Sequence, residues 1–177
     1  MNSYILEGGC RLQGKIKISG SKNAALPILA ATVLLDGKYH VENIPLIEDI
    51  LTLLDILRSL GAGVELLADG TVLIDSTTIN VTAATTDAVS KLRGSYYLLG
   101  ALLGRFGHAC LKMPGGCNFG SRPIDMHLNG FRQLGAEIVV DEDVVTCSAD
   151  RLLGKNIFMD IVSVGATVNL ILAAVKA

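Results

Sequence analysis

The chain repeats itself, and that constrains its fold more than any other feature. Leu57-Arg58-Ser59-Leu60-Gly61-Ala62-Gly63-Val64 aligns with Phe131-Arg132-Gln133-Leu134-Gly135-Ala136-Glu137-Ile138, 74 residues further on. Both stretches read as a helix that stops at a glycine and enters a hairpin. Upstream, Ile28-Leu29-Ala30-Ala31 has counterparts in Leu98-Leu99-Gly100-Ala101 and Ile171-Leu172-Ala173-Ala174, each inside a helix that opens on small or polar residues (20–23, 93–95 and 163–167). Self-similarity at this spacing means one supersecondary unit used repeatedly, each copy unable to bury its apolar face alone. The expected fold class is α/β, built from β-α-β-α-β-β units: two complete units and a third that begins near Asn156 and breaks off after its first helix. Such a chain reads as a fragment or truncated product that exposes apolar surface and self-associates through it.

Element by element, residues 4–7 and 15–18 read as an opening hairpin around Gly8-Gly9. A helix is predicted over 23–35, with Pro27 unsettling its first turn. A strand follows at 38–42, then an amphipathic helix over 47–60, and a hairpin of 64–67 with 71–74 about Asp69-Gly70.

Composition narrows the partners. Half the residues are hydrophobic, Trp is absent and 19 residues are glycine, so the core is aliphatic and the turns glycine-rich, which suits an α/β domain. A net charge of -2 argues against a nucleic-acid partner held by a broad basic face. The longest apolar run, residues 24–35, is interrupted by Pro27 and too short to span a bilayer; the amino terminus lacks the basic start and apolar core of an export signal. The cysteines at 10, 110, 117 and 147 have no zinc-like spacing. No metal or cofactor is called for. Cys110 and Cys147, in apolar strand-like runs, read as small buried hydrophobes.

The chemistry concentrates between Lys112 and Gly130. Cys117 sits among glycines that let backbone approach a ligand closely. Arg122 and a helix beginning near Pro123, capped by Ser121, would both favour a thiolate. Lys22 and Arg93 stand at corresponding helix starts of the first two repeats, with Arg122 at another. A helix N-terminus presents free N–H groups and partial positive charge, so an added cation makes an anion site. If the repeats pack around a pseudo-threefold axis, these ends converge on a phosphate or carboxylate. Asn23 either bonds a sugar hydroxyl or caps its helix. Asp125 and His127 suggest proton transfer if both face a pocket, and a structural pairing otherwise. Ser163-Val164-Gly165, a third helix start without a cation, suits neutral hydrogen bonding. His40 and His108 receive no role.

Four motifs carry a family resemblance: G-S-K-N-A-A-L-P-I-L-A-A at 20–31, L-R-G-S at 92–95, P-G-G-C-N-F-G-S-R-P-I-D-M-H-L at 114–128 and S-V-G-A-T-V-N at 163–169. Together they resemble the enolpyruvyl transferases of peptidoglycan synthesis that act on UDP-N-acetylglucosamine. The resemblance implies two inside-out α/β barrel domains of three units each, helices inside and sheets outside. Residues 1–21 would belong with an absent second domain, and 22–177 would form an incomplete first one. It implies transfer of the enolpyruvyl group of phosphoenolpyruvate to the 3'-hydroxyl of UDP-N-acetylglucosamine with release of phosphate, a cytoplasmic step of cell wall biogenesis, without cofactor, nucleic acid or membrane.

By the same resemblance Cys117 acts at C3 of the enol and is the target of fosfomycin. Lys22, Arg93 and Arg122 would hold the polyanion, with Lys22 and Arg122 sharing in catalysis. Asn23, Arg122, Pro123, Ile124, Asp125, His127, Ser163, Val164 and Gly165 would line the nucleotide-sugar side. Tyr97 stands where some members carry Trp, and Ile161 where some carry Lys; neither is expected to touch the phosphate cluster, while the latter bears on a diphosphate or uracil contact. The family's catalytic aspartate and a further arginine lie beyond Ala177, so negligible activity is expected of this piece alone. The alternatives are a transferase of the 3-phosphoshikimate type and a non-catalytic product that binds nucleotide sugar.

Overall fold

The computed structural model describes residues 3–9, 11–113 and 124–177. Among them the first repeat runs α1 (Lys22–Ala31), β1 (Lys38–Val41), α2 (Glu48–Ser59), β2 (Gly63–Leu66) and β3 (Val72–Asp75). The second runs β4 (Ala83–Ala84), α3 (Asp87–Lys91), a 3-10 turn (Arg93–Tyr96), α4 (Tyr97–Phe106), β5 (His108–Lys112), α5 (Asp125–Gln133), β6 (Glu137–Asp141) and β7 (Val144–Ser148). The third contributes α6 (Val164–Ala174).

Each helix follows from its pattern. In α2 the residues Ile50, Leu53, Leu54, Ile56 and Leu57 fall on one buried face, with Glu48 and Asp49 in the first turn and Arg58 in the last, as the helix dipole favours. Helix α4, Tyr-Leu-Leu-Gly-Ala-Leu-Leu-Gly-Arg-Phe, is apolar all round until Arg105 in its last turn and is correspondingly the central one: Leu98 through Leu103 are all buried. It packs against α1, α6 and β5 and stops at Gly107, whose φ of 66° is in the left-handed region. Full burial of Leu98, Leu99, Leu102 and Leu103 stabilises the fold by roughly 2 kcal/mol each.

The repeat holds at the level of single hydrogen bonds. Gly61 and Gly135 both have positive φ, 98° and 95°. Gly61 N–H donates to the Arg58 carbonyl at 2.9 Å and Ala62 N–H to that of Leu57 at 3.1 Å; Gly135 donates to Arg132 and Ala136 to Phe131, both at 3.0 Å. These are two copies of the same glycine-terminated helix end. The sheets correspond as well. The first has order β1-β3-β2, all antiparallel, and the second β4-β5-β7-β6, with β4 parallel to β5. Matching β1 to β5, β3 to β7 and β2 to β6 leaves β4 as the one addition. Alternate strand residues (Val72 and Ile74; Ala109 and Leu111; Val145 and Cys147) point into the core.

Three expectations are corrected. The opening hairpin of 4–7 with 15–18 is not formed: the described residues of 3–19 carry no strand, and Tyr4, Ile5, Leu6, Leu12, Ile16 and Ile18 are all exposed. Two short strands with only each other to bond and no apolar face to cover are not held in water. Likewise no strand opens the third unit between 154 and 162. Helix α1 ends at Ala31 and relaxes through tighter turns at Val33 and Leu34, while Pro27 is accommodated inside it, removing only the bond to the Asn23 carbonyl.

Candidate functional site

The starts of α1, α4 and α6, the three equivalent helices, border one cleft of about 840 Å3 together with the start of α5. Lys22 and Asn23 come from the first turn of α1, Arg93 and Gly94 from the 3-10 turn before α4, Ile124 and His127 from α5, and Ser163, Val164 and Gly165 from the start of α6. Eight of the candidate site residues named from the sequence (all of these but Gly94) thus share one cavity. Asp125 does not: it opens α5 on its exposed side, outside the lining. Cys117, Arg122, Pro123 and the proposed cap Ser121 lie outside the described residues, as does Cys10.

Local structure fixes each contributor. Ser95, fully buried, donates its hydroxyl to the Leu92 carbonyl at 2.7 Å, which locks the turn that presents Arg93. Ser163 caps α6 by accepting from Ala166 N–H at 3.2 Å, leaving Val164 and Gly165 free to border the cleft. Lys22 Nζ meets Asp49 Oδ2 of α2 at 2.7 Å. Asp49 lines the cleft too; in the sequence it reads only as a first-turn acid of α2.

The least expected contributor does not line the cleft but holds residues that do: Asn169, fully buried in α6. Its Oδ1 accepts from Gly100 N–H at 2.9 Å. Its Nδ2 donates to the Tyr96 carbonyl at 2.8 Å and contacts His127 Nδ1 at 2.9 Å. One amide therefore ties α4, the turn before it and α5 to α6. The sequence signal was available: an Asn in Val-Gly-Ala-Thr-Val-Asn-Leu-Ile-Leu-Ala-Ala, where a buried polar group must find partners. Gly100 is required beside it, because a Cβ there would collide with the Asn169 carbonyl and Oδ1.

Burial, and secondarily the Arg93 charge, push the His127 pKa down to about 4, so the imidazole is neutral at physiological pH. The Tyr96 hydroxyl is held above its ordinary value by burial, partly offset by Arg93. Tyr97 and Ile161, the two departures noted in the sequence, both line the cleft that holds Lys22 and Arg93, nearer to the cation cluster than expected. The cleft thus combines two cations, one of them paired with Asp49, a neutral imidazole and helix N-termini, a set suited to a ligand that is both anionic and rich in hydrogen-bonding groups.

The family model of EPSP synthase (3-phosphoshikimate 1-carboxyvinyltransferase) matches residues 6–177. The chain belongs to this family. Within the EPSP synthase family it is 47% identical over 177 residues to the UDP-N-acetylglucosamine 1-carboxyvinyltransferase of Halothermothrix orenii, and 48% identical over 178 residues to that of Clostridium botulinum. All of this chain is covered in both cases, against 42% and 43% of those proteins, so it spans about two-fifths of the length of the curated relatives it matches. Among solved structures the enolpyruvyl transferase NikO from Streptomyces tendae aligns with a TM-score of 0.69 at 30% identity, over 82% of this chain and 32% of NikO. EPSP synthase from Acinetobacter baumannii shares the fold, with a TM-score of 0.70 at 20% identity, over 90% of this chain and 37% of that one. The repeated α/β architecture with helices at the centre is this family's fold. Among the described residues no helix is long and apolar enough to cross a membrane.

Proposed function

We propose that the cleft is one wall of a site that joins the enolpyruvyl group of phosphoenolpyruvate to the 3'-hydroxyl of UDP-N-acetylglucosamine, releasing phosphate, in the cytoplasmic stage of peptidoglycan synthesis. The observation that carries this reading is the meeting of Lys22, Arg93 and three equivalent helix starts in one cavity. Identity near 47% to proteins named for this reaction supports the nucleotide sugar as acceptor, against 20% to the compared EPSP synthase structure. Residues 22–177 form part of a first transferase domain in this reading, and residues 1–21, exposed at nearly every described position, belong with a second.

The chemistry is addition and elimination. The sugar hydroxyl attacks C2 of the enol while a proton is delivered to C3; loss of a C3 proton then expels phosphate and restores the double bond. Cys117 is proposed as the proton donor at C3 and the residue that fosfomycin alkylates. Lys22, Arg93 and Arg122 balance the carboxylate and phosphate charge as it shifts during addition. Asn23, Arg122, Pro123, Ile124, Asp125, His127 and the Ser163–Gly165 turn bind the nucleotide sugar.

Calorimetric titration tests this. UDP-N-acetylglucosamine is expected to bind the purified chain, with binding lost in Arg93→Ala, whereas shikimate 3-phosphate is expected to give no heat. Fosfomycin is expected to add covalently at Cys117, read by peptide mass spectrometry. Preferential binding of shikimate 3-phosphate would replace this reading with the shikimate type.

A further inference from the structure

Two backbone groups determine the state of a side chain in the cleft. Gly100 N–H can only donate, so the Asn169 atom 2.9 Å from it is the oxygen. The Tyr96 carbonyl can only accept, so the Asn169 atom 2.8 Å from it is the nitrogen. The amide orientation is thereby settled at both ends. Its NH2 has two hydrogens: one goes to Tyr96, and the other faces His127 Nδ1 at 2.9 Å. Nδ1 must then be a bare lone pair, and a neutral ring carries its proton on Nε2.

Nε2 lies on the cleft side. A Cβ built on Gly165, itself a lining residue, would stand 3.8 Å from Nε2 and 3.7 Å from Cε1. The remaining neighbours agree with a neutral ring: the Tyr96 ring packs at 5.7 Å between centroids, and the charged group bearing on the imidazole is the Arg93 guanidinium, which disfavours a second cation. Asp125, on the same helix, is exposed and outside the lining.

We propose that Asn169 is a positioning residue that fixes His127 as its Nε2–H tautomer, so that the cleft offers an uncharged hydrogen-bond donor beside Arg93. For a nucleotide sugar, whose binding here rests on the function proposed above, such a donor serves a carbonyl, hydroxyl or phosphate oxygen. It does so without adding a charge that would hold phosphate indiscriminately. A tautomer left free would present the Nε2 lone pair to the same oxygen for part of the time and repel it.

Long-range 1H–15N correlation spectra of the purified chain read the ring directly. His127 is expected to show a bare Nδ1 and a protonated Nε2, unchanged through the pH range where an exposed histidine titrates. A wild-type ring protonated on Nδ1, or one that titrates like an exposed histidine, overturns the proposal. Asn169→Asp keeps an acceptor for Gly100 but has no N–H for Nδ1. The ring proton is expected to move to Nδ1 and UDP-N-acetylglucosamine affinity to fall by roughly tenfold. In a His127→Gln background the same substitution is expected to change affinity by less than about twofold. A full tenfold loss there would mean that Asn169 acts through the packing of α6 and not through the imidazole. Should Asn169→Asp fail to fold, the wild-type spectrum still decides. A wild-type chain with the expected tautomer that binds no UDP-N-acetylglucosamine would sink the nucleotide-sugar reading and leave the positioning role standing.

Discussion

Lys22 Nζ and Asp49 Oδ2 lie 2.7 Å apart, so the amine at the start of α1 is neutralised by the start of α2 before any ligand arrives. An anion entering the cleft must compete with that carboxylate. Asp49→Asn is therefore expected to raise the affinity for inorganic phosphate or phosphoenolpyruvate by roughly fivefold at low salt, with the gain shrinking as salt is added. Both side chains are more than a third exposed, so the unfolding midpoint is expected to move little. Titration of Asp49→Asn at two ionic strengths checks this; unchanged affinity at low salt would show that the pair does not compete with ligand.

His127 makes stability depend on pH. Its folded pKa, about 4, lies below the ordinary 6.5, so between those values the unfolded chain binds a proton that the folded chain refuses. Stability therefore rises with pH across that window, is fully present above about 6.5, and is lost as pH falls toward 4. The contribution is on the order of 3 kcal/mol. Urea midpoints measured from pH 4 to 7 are expected to climb in the wild type and to climb less steeply in His127→Gln; parallel curves would contradict it.

Two glycines, Gly100 buried where α4 meets α6 and Gly165 at the cleft, make opposite demands. A methyl at Gly100 collides with the backbone and side chain of Asn169, whereas one at Gly165 meets the His127 ring at ordinary contact distance. Gly100→Ala is expected to destabilise by about 3 kcal/mol or more, parting α4 from α6 and breaking the Asn169 amide's bonds. Gly165→Ala is expected to stay within roughly 0.5 kcal/mol of wild type yet weaken ligand binding by narrowing the approach to Nε2. Melting curves and titrations of the pair separate fold from site.

Cys147, fully buried on β7, has its thiol pushed up to about 12 by burial, with Arg132 opposing and Cys110 adding to the shift. It is expected to resist iodoacetamide in the folded chain and to react only in denaturant, as followed by mass spectrometry. The apolar surroundings of Cys147 announced this in the sequence; Cys110, its neighbour on β5, is half-buried and less sheltered than its own surroundings suggested.

What was legible in the sequence was whatever a local pattern or a repeat encodes. The Gly61 and Gly135 helix ends were visible because a left-handed residue after an apolar helix has one common solution, and its recurrence after 74 residues excluded chance. Convergence of Lys22, Arg93 and the 163–165 turn followed from the same repeat, since equivalent helix starts point alike. The opening hairpin failed because alternation records only a capacity to pair; residues 15–18 have the pattern but no covering surface. Asn169 and Asp49 were missed because their meaning depends on partners 27 to 73 residues away, and no local spacing carries that.

The three helix starts that border the cleft come from successive repeats, so a ribosome making this chain has built two complete sheets before the cavity has a floor. Until α6 emerges, Gly100 has no acceptor from Asn169 and His127 no donor, and the cations of the first two repeats face open solvent. The cleft's lining is thus deferred to the latest-made helix of the set, which makes its occupancy a readout of all three helix starts being in place and not of any one repeat.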